Sequence, residues 1–126
     1  MNTQVNPNKD YFAIPWGFVG IRKSAMFSRY CIKVTYSGDI EYFDRLTGKI
    51  ITEQEIREDL KNLDEYHRQV LLDFFKKFPT DEDKKLFWAT RMQRSSRTYT
   101  KKFAIQLKKQ IEEQRRNANE ENSVQD

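Results

Sequence analysis

Few side chains in this sequence have the type and spacing that chemistry needs. His67 is the only histidine and Cys31 the only cysteine, so neither a common zinc arrangement nor an intrachain disulfide can be built. Cys31 lies in an alternating apolar run, and no basic residue is placed by sequence to activate it; it reads as a buried structural thiol. Asp39, Glu41 and Asp44 fall near a hairpin. Paired carboxylates can bind a metal or move protons, but turn chemistry and an acidic surface explain these as well. Asp81, Glu82 and Asp83 open a helix, where negative charge is favourable without any ligand. His67 precedes Val70 and Phe74 at helical spacing and flanks a core stripe. These groups do not converge. The expectation is a protein that is not an enzyme, with no cofactor and no metal.

The residues that could act in concert are basic. Lys84 through Arg116 holds eleven Lys and Arg against two Glu, in a chain whose formal net charge is +4. So one-sided a distribution argues for a polyanionic partner. Lys101, Lys108 and Arg115 recur every seven residues, with Lys102, Lys109 and Arg116 beside them. On one helix these form two adjacent rows that could follow a phosphate backbone, phosphate contacts supplying affinity and base contacts specificity. Just before them, Arg94, Ser95, Ser96, Arg97 and Thr100 can point at phosphates or base edges. Two plainer readings stay open: a solvated face, helped by the backbone dipole near a helix C-terminus, and an acidic protein partner.

These residues need a scaffold. The chain has 126 residues, 37% of them hydrophobic, with nine Phe, six Tyr and two Trp. That is one ordinary domain, or a small domain with an appendage, built on a small aromatic core. Four Gly and three Pro argue against a phosphate loop and long linkers. Residues 1–10 read as a disordered lead and 117–126 as a frayed acidic tail. Residues 11–51 read as an antiparallel β-meander. Pro15 confines Tyr11–Trp16 to an edge or a strand end. Tyr30–Tyr36 alternates, with Tyr30, Ile32, Val34 and Tyr36 on one face. Turns are expected at Ser37–Gly38 and at Leu46–Gly48, while 20–29 is ambiguous between a loop and a helical turn. Residues 52–116 read as three to four helices, giving an α+β fold. Thr52 with Glu55, and Thr80 with Asp83, fit capping boxes; Asp64 can cap the helix between them. Val70, Leu71, Phe74, Phe75 and Phe78 form its apolar stripe, and Pro79 stops it. Ser95 or Ser96 interrupts the next helix, and a last one runs from about residue 96 to 115.

Between those last two helices the spacing suits a helix-turn-helix. Ala89 is the small residue where the pair closes, Met92 precedes the turn, Ser95 can cap the second helix, and Tyr99 and Phe103 are expected to face inward. Ala104, Leu107 and Ile111 continue that stripe. Residues 64–111, with H-R-Q-V-L-L-D-F-F and W-A-T-R-M-Q-R-S-S-R-T-Y-T-K-K-F, resemble the fourth conserved region of bacterial primary-type sigma factors. They are similar also to the sigma-like regulators of phages and mobile elements. In the resemblance Arg68, Leu71 and Leu72 match the opening helix in a shifted way. Ala89, with Trp88 before it, matches the first reader helix, and Ser95, Thr98, Tyr99 and Phe103 match the recognition helix. It implies that this helix enters a major groove, with Ser96, Arg97, Thr100 and Lys101 facing DNA. The family favours Gly in the turn, where this chain has Gln93, followed by Arg94. Two geometries therefore stay open: a sharp turn over 92–96, or one long broken helix over 81–115.

The N-terminal aromatics exceed what one face of a small sheet needs. Tyr11, Phe12, Trp16 and Phe18 are candidates for a protein or dimer interface, and some rings in this half could stack on single-stranded bases. Together these features predict a cytoplasmic DNA-binding transcriptional regulator or accessory factor, acting on duplex DNA through a basic recognition helix. The alternatives are a phage- or plasmid-type module that binds a host protein, and a nucleic-acid-binding accessory protein without sequence preference. A homodimer is compatible with each. The polar N-terminus and the lack of a long apolar run speak against a signal peptide and a membrane span.

Overall fold

The computed structural model describes residues 10–14 and 29–125, with side chains described through Glu120. Trp16, Phe18 and nearly all of the ambiguous 20–29 stretch lie outside the described residues. The fold is α+β, a four-stranded antiparallel sheet followed by four helices. The strands are β1 (Phe12–Ala13), β2 (Tyr30–Val34), β3 (Ile40–Asp44) and β4 (Lys49–Ile51), hydrogen-bonded in that order. The β2–β3 and β3–β4 hairpins turn where the Gly positions require. Gly38 has φ +93° and Gly48 φ +74°, a region that favours glycine because a side chain would clash there. β1 pairs as an edge strand, with Phe12 opposite Ile32 and Ala13 opposite Cys31. This is the role Pro15 leaves open to it.

The strand period sorts the side chains into two faces. Ile14, Tyr30, Ile32, Val34 and Tyr42 are all at most 3% exposed and face the helices. Cys31, Lys33, Glu41, Phe43 and Ile50 stand on the other face. Cys31 is buried, as expected, and burial pushes its thiol up to about 11, so it is protonated and unreactive near neutrality.

The helices are α1 (Glu53–Asp59), continued by a 3-10 turn over Leu60–Asn62, then α2 (Glu65–Lys77), α3 (Asp81–Met92) and α4 (Thr98–Gln125). Both capping boxes form: Thr52 with Glu55, and Thr80 with Asp83. Asp64 caps α2 by accepting from the His67 amide, and its other carboxylate oxygen holds the His67 ring at 2.9 Å. Sheet and helices share one core. Leu71, Phe74 and Phe75 of α2, Phe87, Trp88, Ala89 and Met92 of α3, and Ala104 of α4 join the inward sheet residues.

Two boundaries differ from expectation. α4 continues through 117–125 instead of fraying at 117. Its 28 residues make a rod of about 42 Å at ~1.5 Å per residue. Asp10, assigned to a disordered lead, is 4% exposed. Its backbone carbonyl accepts the Trp88 indole N–H at 2.7 Å, and its carboxylate accepts the Thr100 hydroxyl. A polar residue that looks disposable in sequence is therefore the pin between β1 and the last two helices.

Candidate nucleic-acid interface

The chain does turn between α3 and α4. The Gln93 amide donates to Ala89, Arg94 to Arg91 and Ser95 to Met92. Gln93 keeps right-handed helical angles, φ −65° and ψ −10°, so the turn needs no glycine. The Ser95 hydroxyl accepts the Arg97 amide at 3.1 Å, which tightens the loop instead of capping the helix at Thr98.

The relation of the two helices follows from contacts at both ends. Near the turn, Trp88 packs on Phe103 with centroids 5.9 Å apart. At the far end, Arg115 donates to Asp83 at 2.8 Å and to Glu82 at 3.3 Å. α4 thus runs back along the whole of α3, as in an antiparallel helical hairpin. The expected reader pair would cross steeply and touch mainly near its turn. Ala89 and Ala104, both 0% exposed, leave room for the two backbones to approach.

The same contacts set the rotation of α4 and correct two residues. Thr100, expected to face DNA, is 0% exposed and is spent on Asp10. Tyr99, expected to face inward, is 81% exposed. The buried line is Thr100, Ala104 and Ile111, with Phe103 and Leu107 half-buried beside it. Tyr99 lies twelve residues before Ile111, which puts it about a third of a turn out of phase. A wheel anchored on Ala104, Leu107 and Ile111 alone would have found this.

Opposite the buried line lie Lys102, Ile105, Lys109 and Arg116. Lys101 and Lys108 form the flank. All are exposed except Lys108, which is half-buried. Arg94 and Ser96 are exposed in the loop before α4, and Ser95 is half-buried. Among the described residues, Arg94, Lys101, Lys102, Lys108, Lys109 and Arg116 have no acidic partner. Arg97 does, reaching Asp10 at 3.5 Å. Arg115, third in its row, is drawn off to α3, where its bond holds the Asp83 carboxyl below the ordinary range. The two sequence rows therefore reduce to one patch of Lys101, Lys102, Lys108 and Lys109, with Arg115 subtracted and Arg116 set beyond the exposed Glu112 and Glu113. Ile105, 44% exposed, sits in its centre, and Gln106 borders it; neither was singled out by charge.

The other candidate groups are dispersed. Asp44 clamps Arg29 through two bonds of 3.1 and 2.9 Å. Glu41 accepts from the Tyr11 hydroxyl on the opposite face of the sheet, and Asp39 accepts from Ser37 within the turn at 3.1 Å. Among the described residues no group of His, Cys, Asp and Glu gathers to hold a metal ion, and no helix is long and apolar enough to cross a membrane. Tyr11 and Phe12 are half-buried. Tyr11 packs on Phe43, and Phe12 packs edge-on against Phe87, so Phe12 serves the core and not an open interface. No protein-family profile, curated protein or solved structure matches the chain.

Proposed function

We propose that the protein is a DNA-binding regulator or accessory factor that lays the outer face of α4 on duplex DNA. One observation carries this reading. Six cations share that face and its approach loop without an acidic partner among the described residues. Cations held this close together repel one another, and a polyanion relieves that repulsion while releasing its own counterions. A helix with its side chains is about as wide as a major groove. With Lys101 and Lys108 on one phosphate strand and Lys102 and Lys109 on the other, Ile105 between them, with Gln106 beside it, is turned toward base edges. The test is anisotropy of a labelled duplex at about 150 mM salt. Lys102→Glu with Lys109→Glu should weaken binding by at least tenfold, as expected for reversing two phosphate contacts. Unchanged binding by that double variant would refute the assignment.

A protein-binding role is the second reading. Leu46 and Ile50 on the β3–β4 hairpin are 75% and 61% exposed. It predicts no appreciable duplex affinity in the wild type at the same salt.

A further inference from the structure

At its N-terminal end the basic face of α4 meets two tyrosines that contribute little to packing. Tyr99 is 81% exposed and Tyr36 57% exposed. Tyr36 is nevertheless held in place. Its ring stands edge-on against Phe103, with centroids 5.1 Å apart and planes at 79°. Its hydroxyl lies 3.4 Å from that of Thr100, which is itself fixed by Asp10. Tyr99 lies one helical turn before Phe103, on the same side of α4. The three rings therefore form one patch that joins the β2–β3 turn to the helix.

The border of this patch is cationic. Lys102, three residues after Tyr99, has no acidic partner among the described residues, and Arg94 is exposed in the loop that leads into this end of the helix. Asp39, the acid of the β2–β3 turn, is engaged by Ser37. One ring fixed in orientation, Tyr36, and a second beside it, Tyr99, both exposed to water and edged with positive charge, fit a ligand with flat apolar faces on an anionic backbone. Bases inside a duplex already stack on one another, so only unpaired bases offer a free face.

We infer that Tyr36 and Tyr99 stack unpaired bases, so that the protein recognises a duplex that ends in, or opens into, a single strand. This rests on the nucleic-acid reading of α4. Lysines on the outer face hold the duplex backbone, and the tyrosines hold the bases that leave it. Stacking of this kind tolerates any base, because each has a π-face.

The experiment compares three labelled probes under one buffer: a blunt duplex, the same duplex with a short single-stranded overhang, and that overhang made abasic. The wild type should bind the normal overhang roughly tenfold more tightly than either of the others, the size expected for losing one aromatic stack. Tyr99→Ala should lose most of the overhang preference, keeping only what Tyr36 supplies, and leave blunt binding unchanged, while Tyr99→Phe should keep the full preference; an unchanged preference in Tyr99→Ala would overturn the inference. Because Tyr99 is so exposed, the far-ultraviolet circular dichroism of both variants should match the wild type. Equal wild-type affinity for all three probes would overturn the stacking inference and leave the duplex reading standing. Failure to bind any probe, or displacement by poly-glutamate as readily as by unlabelled DNA, would overturn both.

Discussion

Two groups of cations in this protein have opposite fates. Around the sheet and the first helices, several cations are consumed by the fold. Arg29 holds Asp44 through both carboxylate oxygens and reaches Asp59 at 2.9 Å. Arg68 donates to the Leu60 and Leu63 carbonyls at 3.0 and 2.8 Å, closing the 3-10 turn. Lys84, 3% exposed, reaches the Pro79 carbonyl at 3.3 Å. Along the outer face of α4, charge of the same sign finds no internal use. The contrast separates cations that specify a structure from cations that await a partner. Composition alone counts them together. It also predicts that substitutions in the first group act on stability, and that substitutions in the second act on binding.

The largest effect should come from breaking the internal group. Asp44→Ala leaves the Arg29 guanidinium short of its bidentate partner in a largely buried setting, at a cost of about 3 kcal/mol. Denaturant unfolding should show that loss, with duplex affinity per folded molecule unchanged. Next comes Ala104→Leu, which forces a large side chain between α3 and α4 and should cost roughly 1–3 kcal/mol. The same denaturant unfolding should show that loss. A smaller effect is expected from acid. Burial works to raise the Asp59 carboxyl, but bonds from Asn62 and Tyr30 and the Arg29 charge hold it below the ordinary range. Asp83 is held down by Arg115. A depressed folded pKa adds stability that is fully present above the unfolded value of about 3.9 and is lost as pH falls through the folded values. A thermal melt series should therefore be flat from these groups between pH 5 and 7 (about one to three units above that reference) and decline below about pH 4. Smallest should be Arg115→Ala. Its ion pairs lie at the surface, and such pairs contribute less than about 1 kcal/mol. A loss several times larger would mean that Arg115 is structural in the same sense as Arg29.

Much of this was legible in the sequence, because local signals dominate where they are strong. The alternating run at Tyr30–Val34, the two positive-φ glycines and the capping residues Thr52, Asp64 and Thr80 each have a local physical cause. The observed elements follow them. What was not legible depends on distant partners. Nothing near Asp10 in the chain announces that its carboxylate will accept from Thr100, ninety residues away. That contact fixes Thr100 in the inward position that the line of Ala104, Leu107 and Ile111 also sets, and with Tyr99 out it reverses the expected roles of two neighbours. Arg115 looked like one more member of a charge row until Glu82 and Asp83 folded back against it. Fold class follows from periodicity, whereas the rotation of a helix about its own axis is decided by tertiary contacts.

The central claim is that the unpaired lysines of α4 exist to meet phosphates, and the salt dependence of duplex binding tests it most directly. Wild-type affinity should fall steeply with salt, with a log–log slope of up to about −5 if all six cations engage. The variant carrying Lys101→Gln, Lys102→Gln, Lys108→Gln and Lys109→Gln should lose about four units of that slope, while unfolding at the same denaturant concentration. A wild-type slope near zero, or a variant that keeps the full slope, would contradict the account.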